Sequence, residues 1–437
     1  MTNSASHDHA YVRDEMLSEM APPPGETGLV HWLRDNMFSS VSNGLLTLVA
    51  LYAIYAMLAA VLPWMVLGVW NAGSLSECRE ILAAKYGDTD YACWAVLSER
   101  WKQLLFGFYP QDLYWRPVLA LVLLFVALAP LLFDHLPRKL LIFSALYPFV
   151  MYLLVWGGSV WVPLSVIAGF AIGYFASKII TPVAGGLAGT IALFLAPVIW
   201  WLFLAGPIAG LFEDIIPLSI EAVKSKTIGG FMISIVIGLS GIALSLPIGV
   251  VLALGRQSDL LIVKSICVGF IEFIRGVPLI TLLFTASLLL QYFLPKGTNF
   301  DIVLRVIIMV TLFASAYMAE VIRGGLAALP RGQYEAADAL GLTYWQAQKL
   351  IIMPQALKIS IPGIVNTFIG LFKDTTLVIF IGIFDILGLT GAIRASTEWN
   401  GIYWELFIFV AVVFWVCCFS MSQYSQWLER KLRTDHV

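Results

Sequence analysis

The sequence predicts an all-α polytopic membrane protein with about ten transmembrane helices. Of its 437 residues, 60% are hydrophobic and only 12% are charged, whereas an average soluble domain has about 25% charged residues. The apolar residues fall into repeated runs of about 20, the length that a helix needs to cross a bilayer. Because backbone groups inside a bilayer must be hydrogen-bonded within the protein, we expect each run to be helical. The predicted spans are 45–70, 117–134, 140–157, 160–179, 182–206, 228–254, 264–293, 302–323, 360–383 and 403–427.

The first part of the chain, residues 1–44, is predicted to be a cytoplasmic tail that carries a surface helix. It is polar, contains mixed charges and includes the run Pro22-Pro23-Pro24. It lacks the short apolar core and the small-residue cleavage site of a secretory signal peptide. The net charge of the chain is −2 and its 26 basic residues are scattered, so the composition gives no argument for binding nucleic acid.

Residues 45–225 are predicted to form an additional N-terminal transmembrane block with a long loop at 71–116. This loop contains Cys78 and Cys93, with no histidine nearby. We expect a disulfide between them if the loop faces an oxidising compartment, and two unpaired thiols otherwise. At the end of the block, residues 212–226 mix apolar and charged residues in a helical rhythm, which predicts an amphipathic helix on the outer surface.

Orientation follows from the basic residues, which collect on the cytoplasmic side of a membrane. When the predicted spans are counted from a cytoplasmic N-terminus, the C-terminus is also cytoplasmic and the loop at 71–116 is periplasmic. Lys224 and Lys226 are exceptions, because the same count places them outside. The basic residues assigned to the inside are Arg138, Lys139, Lys178, Arg256, Arg331, Lys349, Arg430, Lys431 and Arg433.

Residues 226–437 form the second transmembrane domain, and its most informative part is the segment 333–354 on the predicted inner side. A short helix is expected at 333–340, after a proline and a glycine that end the preceding span. Gly341 ends this helix, because glycine adopts a left-handed backbone conformation readily. A second short helix follows, and Pro354 begins the next helical stretch.

The short helix carries acidic and very small side chains. Glu335 and Asp338 lie in its early turns, where acids complement the helix dipole. Ala336 and Ala337 have so little bulk that a partner surface could approach the backbone closely. The segment is therefore suited to docking, and the alternative is an ordinary helical hairpin between two spans.

A group of polar side chains near the ninth predicted span suggests a path for a zwitterion. A charge inside a membrane costs about 2.5–3.5 kcal/mol on insertion scales and usually faces a partner or a water-filled cavity. Lys373 and Asp374 are expected near the middle of that span. Lys373 could hold a carboxylate, Glu320 or Asp374 could hold an ammonium group, and Thr375 or Thr376 could add hydroxyl contacts.

A structural network is the competing interpretation of the intramembrane charges. Glu320 with Arg323, and Glu272 with Arg275, have the i to i+3 spacing of self-compensating ion pairs. By this interpretation the charges tie helices together and do not contact a substrate.

Two glycine-containing motifs predict interruptions of helices. Gly276 and Pro278 interrupt the seventh predicted span, and Gly324 and Gly325 end the eighth. Broken membrane helices are tolerated where they line a cavity or meet neighbouring helices. These positions are candidate hinges, and routine kinks are the alternative.

The chain contains no Gly-Lys dipeptide, so it has no Walker-type phosphate-binding loop. No metal site and no cofactor are predicted for it. An energy source, if the protein moves a solute actively, therefore has to come from another polypeptide.

The segment EAADALGLTYWQAQKLIIMP, from Glu335 to Pro354, resembles the signature of bacterial ABC importer permeases. That signature is Glu-Ala-Ala, three residues, Gly, nine residues and Ile-x-Leu-Pro. Here Ile351 matches and Met353 replaces leucine, a mild change of volume and polarity. The stretches beginning at Gly229, Phe270, Ala316 and Lys373, which read GG, FIEFIRGVPL, AYMAEVIRGG and KDTTLV, are similar to the polar amino acid permeases of this class.

The resemblance implies a non-catalytic inner-membrane subunit of an ATP-driven amino acid importer. Its expected partners are a dimer of ATPase subunits that bind ATP and Mg²⁺, a second homologous permease chain and a periplasmic binding protein. The added first half resembles permeases for a broad range of amino acids, or for glutamate, glutamine, aspartate and asparagine. The alternative is an ion-coupled secondary transporter using Lys373, Asp374 and Glu320, although such proteins usually contain internal repeats, and none is apparent here.

Overall fold

The computed structural model describes residues 28–133, 135–289, 292 and 301–432. Almost all of its regular structure is helical. The described helices are α1 (Leu29–Asn36), α2 (Val41–Val66), α3 (Leu75–Tyr86), α4 (Ala95–Phe106), α5 (Trp115–Leu132), α6 (Leu140–Trp156), α7 (Trp161–Ile199), α8 (Ala205–Ile215), α9 (Gly230–Arg256), α10 (Leu261–Gly276), α11 (Leu279–Phe284), α12 (Ile302–Ala327), α13 (Arg331–Ala339), α14 (Tyr344–Ala347), α15 (Met353–Asp374), α16 (Ile386–Arg394) and α17 (Trp404–Leu432).

Shorter elements connect these helices. Turns of π-helix occur at Trp200–Leu204, Thr285–Leu289 and Gln348–Ile352, and 3-10 turns occur at Gln111–Leu113, Ser225–Thr227 and Thr375–Ile381. Two short strands, β1 (Gly158–Ser159) and β2 (Ser219–Ile220), pair antiparallel.

The chain divides into two compact units. One comprises the residues up to Gly68 together with Leu82–Ala92, and the other comprises Val69–Ile81 and Cys93–Val437. The first unit contains α1 and α2. Helix α2 begins after Ser40, whose hydroxyl accepts a hydrogen bond from the Asn43 N–H, an N-cap that satisfies one of the unpaired donors of the first turn.

Helix α12 lies at the centre of the second unit, between α9 and α15. Small residues let these helices approach closely, as is usual in membranes. A side chain at Gly249 of α9 would come within 2.7 Å of Met318 on α12, and one at Gly363 of α15 would come within 2.7 Å of Val321. Fully buried Ile322 of α12 belongs to the apolar cluster that joins these helices.

Seven helices of the described residues are long and apolar enough to cross a membrane, and an eighth span results if α10 and the residues to Leu289 are counted together. This number and the predicted ten differ at two places. Within α7, Gly185 has non-helical backbone angles (φ 86°, ψ 171°), so two helices meet at a kink there, close to the predicted break at 180–181. The Trp200 indole N–H donates to the Ser165 carbonyl at 2.8 Å, so the second of these helices folds back against the first. Helix α6 has only 17 residues. The fold class is confirmed, and the count of ten stays a prediction.

The predicted amphipathic helix at 212–226 is wrong. Helix α8 ends at Ile215, and the chain then enters strand β2. Pro217 explains the end, because a proline disfavours the helical conformation of the residue before it, and Ile216 is extended with φ −133° and ψ 94°.

Helices α10 and α11 meet at a sharp bend, and the predicted interruption is present. The axis turns by 103° between Leu261–Gly276 and Leu279–Leu289, with Pro278 as the N-cap of α11. Gly324 and Gly325, by contrast, do not end the eighth span, because α12 continues to Ala327. Gly325 serves close packing there, since a side chain at this position would overlap atoms of α15.

Those parts of the loop predicted at 71–116 that belong to the second unit contact the C-terminal part of the same unit. A disulfide joins Cys78 and Cys93, whose Cα atoms are 6.2 Å apart. The Cys93 N–H donates to the buried Glu405 carboxylate of α17 at 2.8 Å. The Leu75 N–H donates to the Glu398 carbonyl at 2.8 Å. These two hydrogen bonds hold the disulfide-linked segments against α17 and the residues just before it.

Candidate functional site

Helix α13 and the turn that follows it form the predicted docking segment. Pro330 is the N-cap of the helix, which spans Arg331–Ala339. At the other end, the Leu342 N–H donates to the Ala337 carbonyl at 3.2 Å and the Gly341 N–H donates to the Asp338 carbonyl at 2.9 Å. This pair of bonds is a Schellman motif, which requires a left-handed residue.

Gly341 provides that left-handed residue, with φ +66°. A Cβ atom at this position would meet no other atom within 4 Å. The glycine is therefore needed for its backbone conformation, as the sequence predicts, and the space around it is open.

The exposed face of α13 is formed by small and acidic residues. Glu335, Ala336 and Asp338 are exposed, whereas Ala337 is buried with 1% of its surface accessible. The expectation that a partner approaches the backbone at both alanines is wrong for Ala337 and stays a prediction for Ala336. Ala336 leaves the outer face flat, and Ala337 lets α13 pack closely on its own domain.

The inner face of α13 is anchored to the start of α15. Tyr334 packs with Ile351 and Met353 in the apolar cluster of the central helices. The Gln355 side-chain amide donates to the Gln333 side-chain oxygen at 3.0 Å. Burial raises the pKa of the Tyr334 hydroxyl above its ordinary value of 10, so it stays protonated at neutral pH. These contacts connect α13 to the start of α15.

The connection from α13 to α15 is nearly continuous helix. Thr343 forms a capping box with Gln346, whose side-chain oxygen accepts from the Thr343 N–H at 2.9 Å. A π-helical turn follows α14, and Pro354 lies in the first turn of α15. Proline is accepted at the start of a helix because its fixed φ suits the helical conformation. Ile351 points into the domain and Pro354 is exposed.

Large apolar side chains beside α13 form an exposed patch that the motif analysis missed. Leu340 is 73% exposed, Trp345 is 70% exposed and Leu350 is 64% exposed. Tyr344 is also exposed and stacks edge-on with Trp345. Contiguous apolar surface of this kind marks a protein or membrane contact. The sequence does contain a signal for this patch, because four large apolar residues lie in a connection that was predicted to lie in water.

Glu320 lies among three arginines on α9, α10 and α12. Its carboxylate oxygens are 2.5 Å from Arg256 Nη1, 3.0 Å from Arg323 Nη2 and 3.8 Å from Arg275 Nη1, and only 17% of its side chain is exposed. The predicted Glu320–Arg323 pair is present. Glu272 pairs with Arg256 at 2.9 Å and not with Arg275, so that prediction is wrong. The pairing crosses between helices, which sequence spacing cannot reveal.

Lys373 and Asp374 lie at the C-terminal end of α15 and not near the middle of the span. Helix α15 begins at Met353, before the predicted start at 360, and ends at Asp374. Lys373 is exposed and Asp374 is half-buried. As neighbours on a helix, they point to different sides and do not face each other.

The two threonines after α15 differ in accessibility. Thr375 is fully buried, and its hydroxyl donates to the Phe372 carbonyl at 2.7 Å. The Thr376 hydroxyl donates to the Lys373 carbonyl at 3.0 Å, and this residue is partly exposed. In this conformation only Thr376 can reach a solute.

The structure does not bring Glu320 and Lys373 together. Gly363 of α15 lies beside Val321, the neighbour of Glu320. Lys373 is about ten residues farther along α15, which is roughly 15 Å at 1.5 Å per residue. One amino acid cannot bridge that distance with its own carboxylate and ammonium groups. Asp374 is therefore the better candidate for the ammonium group of a substrate whose carboxylate is held by Lys373.

Comparisons with known proteins identify the family of the chain. Residues 245–434 match the family model for the binding-protein-dependent transport system inner membrane component. One relative is the glutamate/glutamine/aspartate/asparagine transport system permease protein BztC of Rhodobacter capsulatus, which is 57% identical to this chain. The match covers 98% of this chain and 99% of the relative. The chain is also 39% identical, over 93% of its length and 94% of the relative's, to the inner membrane amino-acid ABC transporter permease protein YhdY of Escherichia coli.

A solved structure titled as an amino acid ABC transporter with histidines also matches. It is 30% identical, covers 46% of this chain and 92% of its own, and has a TM-score of 0.42. The two relatives above, unlike this structure, match almost the whole length of the chain, including the additional N-terminal block. The chain therefore belongs to the amino-acid ABC transporter permeases, the non-catalytic inner-membrane components of binding-protein-dependent transport systems.

Proposed function

We propose that this chain forms half of a pore that imports glutamate, glutamine, aspartate and asparagine, paired with a different but homologous permease chain. The substrate class is that in the name of BztC, a relative that matches both the motif-rich core and the N-terminal block. The name of YhdY is consistent with a wider range of amino acids. A periplasmic binding protein delivers the substrate, and partner ATPase subunits bind ATP and Mg²⁺.

The observation that carries this proposal is the way α13 is held. Its outer face offers Glu335, Ala336 and Asp338 to a partner, and its inner face is fixed to α15 through Tyr334 and Gln333. An ATPase that binds α13 and moves it therefore also moves α15, whose C-terminal end carries Lys373. Closure of the ATPases on ATP is expected to turn the pore outward, and hydrolysis is expected to reset it.

The proposed substrate path uses Lys373 for the substrate carboxylate and Asp374 for its ammonium group, with Thr376 as an additional contact. The bend at Gly276 and Pro278 is the proposed hinge, because α10 and α11 are joined there by only two residues between their regular helices. Both chain termini are proposed to be cytoplasmic, which places the Cys78–Cys93 disulfide in the periplasm, where disulfides persist.

Reconstitution tests the proposed function. The chain, its partner permease and the ATPase are placed in proteoliposomes with ATP inside and the binding protein outside. We expect accumulation of labelled glutamate and glutamine that requires both hydrolysable ATP and the binding protein. Uptake that follows an imposed membrane potential without ATP would instead identify an ion-coupled transporter and refute the proposal.

A further inference from the structure

A cavity of about 400 Å³ lies at the ends of α12 and α15 opposite to α13. It is lined by Phe108, Ser225, Lys226, Ile302, Ile381, Gly382, Ile383 and Phe384. Small-molecule sites usually have volumes of roughly 300–1,000 Å³ and apolar walls with a few polar groups. This cavity, called the Lys226 cavity below, has that character, because five of its eight lining residues are apolar and large.

The walls of the Lys226 cavity are held by side-chain and backbone contacts. The Trp156 indole N–H donates to the Ser225 hydroxyl at 2.7 Å, and that hydroxyl donates to the Asp301 carboxylate. The same carboxylate caps α12 by accepting from the Val303 N–H at 2.9 Å. The N-terminus of α12 is therefore already capped, and Ser225 is fixed in place.

The opposite wall is equally constrained. Phe108 and Phe384 pack edge to face, with ring centroids 5.8 Å apart. The Phe384 carbonyl accepts from the Gly230 N–H at 2.8 Å. Gly382 adopts φ +85°, which turns the chain sharply after the 3-10 segment. These contacts hold this wall of the cavity in place.

Lys226 is the charged residue that lines this cavity. It is exposed, and no carboxylate of the described residues lies within ion-pair distance of its ammonium group. Lys226 is also one of the two basic residues that the orientation analysis places on the wrong side of the membrane. A cation that has no ion-pair partner among the described residues can, at a water-accessible cavity, attract anionic solutes and raise their local concentration.

We propose that the Lys226 cavity receives the incoming amino acid and that Lys226 binds a carboxylate of an acidic substrate before it moves inward. The inference rests on the proposed function. The segment Thr375–Ile381 runs from Asp374 to the cavity wall, a distance of roughly 14 Å at 2.0 Å per residue of 3-10 helix. The cavity would therefore precede Lys373 and Asp374 on the path and would favour glutamate and aspartate over their uncharged amides.

Substitution of Lys226 tests this assignment in the reconstituted transporter. Initial uptake rates of glutamate and glutamine are measured with saturating amounts of the loaded binding protein. In Lys226→Gln, we expect the glutamate-to-glutamine rate ratio to fall about fivefold, the effect of one partly exposed charge interaction. Lys226→Arg should keep the wild-type ratio, because it retains the charge.

Lys224→Gln is the matched control, since Lys224 is exposed on the same turn but does not line the cavity. It should leave the ratio unchanged. Raised salt should lower the wild-type ratio and not that of Lys226→Gln, because salt screens exposed charges. The proposal is overturned if wild type transports both amino acids and Lys226→Gln has the same ratio.

A third outcome has a different meaning. Equal loss of both rates in Lys226→Gln, together with loss of ATPase stimulation by the binding protein, would place Lys226 in the contact with that protein and would also overturn the proposal. If the wild-type transporter imports neither glutamate nor glutamine, the proposed function is refuted. This result differs from an unchanged ratio in Lys226→Gln, which refutes the assignment of Lys226 alone.

Discussion

Replacing Glu335 with lysine is expected to abolish ATP-driven uptake while the chain still inserts and folds. Glu335 is exposed on α13 and makes no ion pair with another described residue, so its loss should cost the fold little. A lysine in the first half of a helix opposes the helix dipole by only about 0.3–1 kcal/mol. At a docking face, however, a reversed charge costs several kcal/mol of binding, and we expect about 100-fold weaker association with the ATPase.

Co-purification of the ATPase and uptake by proteoliposomes measure this effect. Glu335→Gln keeps the size and an acceptor oxygen, and should reduce association much less. Glu429→Lys is the positional control, because Glu429 is exposed near the end of α17 on the same predicted side but outside the docking segment. If Glu335→Lys binds the ATPase and transports like wild type, α13 is not the docking element.

Replacing Glu320 with glutamine is expected to destabilise the domain strongly. The carboxylate is mostly buried and lies within 4 Å of three arginines, so its loss leaves like charges facing each other. Breaking a buried ion pair by removing one partner costs about 3–5 kcal/mol, and because the arginines are partly exposed we expect about 3 kcal/mol. The expected result is a large drop in the detergent melting temperature and in the yield of assembled protein.

Glu272→Gln provides the matched comparison. Glu272 contacts one of the same arginines, but its side chain is 54% exposed. Exposed pairs contribute about 0–1 kcal/mol, so its melting temperature should remain close to wild type. A Glu320→Gln variant that is stable but fails to transport would contradict the structural role and return Glu320 to the substrate path.

Local signals in the sequence predicted the short helix and the turn of the segment 333–341 well. Pro330, the helix and Gly341 are adjacent in the chain, and helix boundaries depend on such neighbours. The structure has a helix at Arg331–Ala339 and a left-handed turn at Gly341. The packing of Ala337 inward could not be predicted, because it depends on how α13 contacts Ile351 and not on its own sequence.

Features that depend on tertiary contacts were predicted less well. The ion-pair partner of Glu272 is Arg256 on α9, which is 16 residues away in the chain and not three or four. The positions of Lys373 and Asp374 were misjudged because the apolar run placed the span at 360–383, whereas α15 begins at Met353 and ends at Asp374. The predicted spans of the N-terminal block are almost uniformly apolar, so only their positions and the paired cysteines of the loop could be predicted.

The central claim is that α13 receives force from an ATPase on the inner side of the membrane, and labelling of Asp338→Cys tests it most directly. Cys267, Cys417 and Cys418 are first replaced by serine, and the Cys78–Cys93 disulfide is kept. We predict that a membrane-impermeant thiol reagent modifies position 338 only in inside-out vesicles, and that bound ATPase protects it. Modification from outside intact spheroplasts would contradict the account.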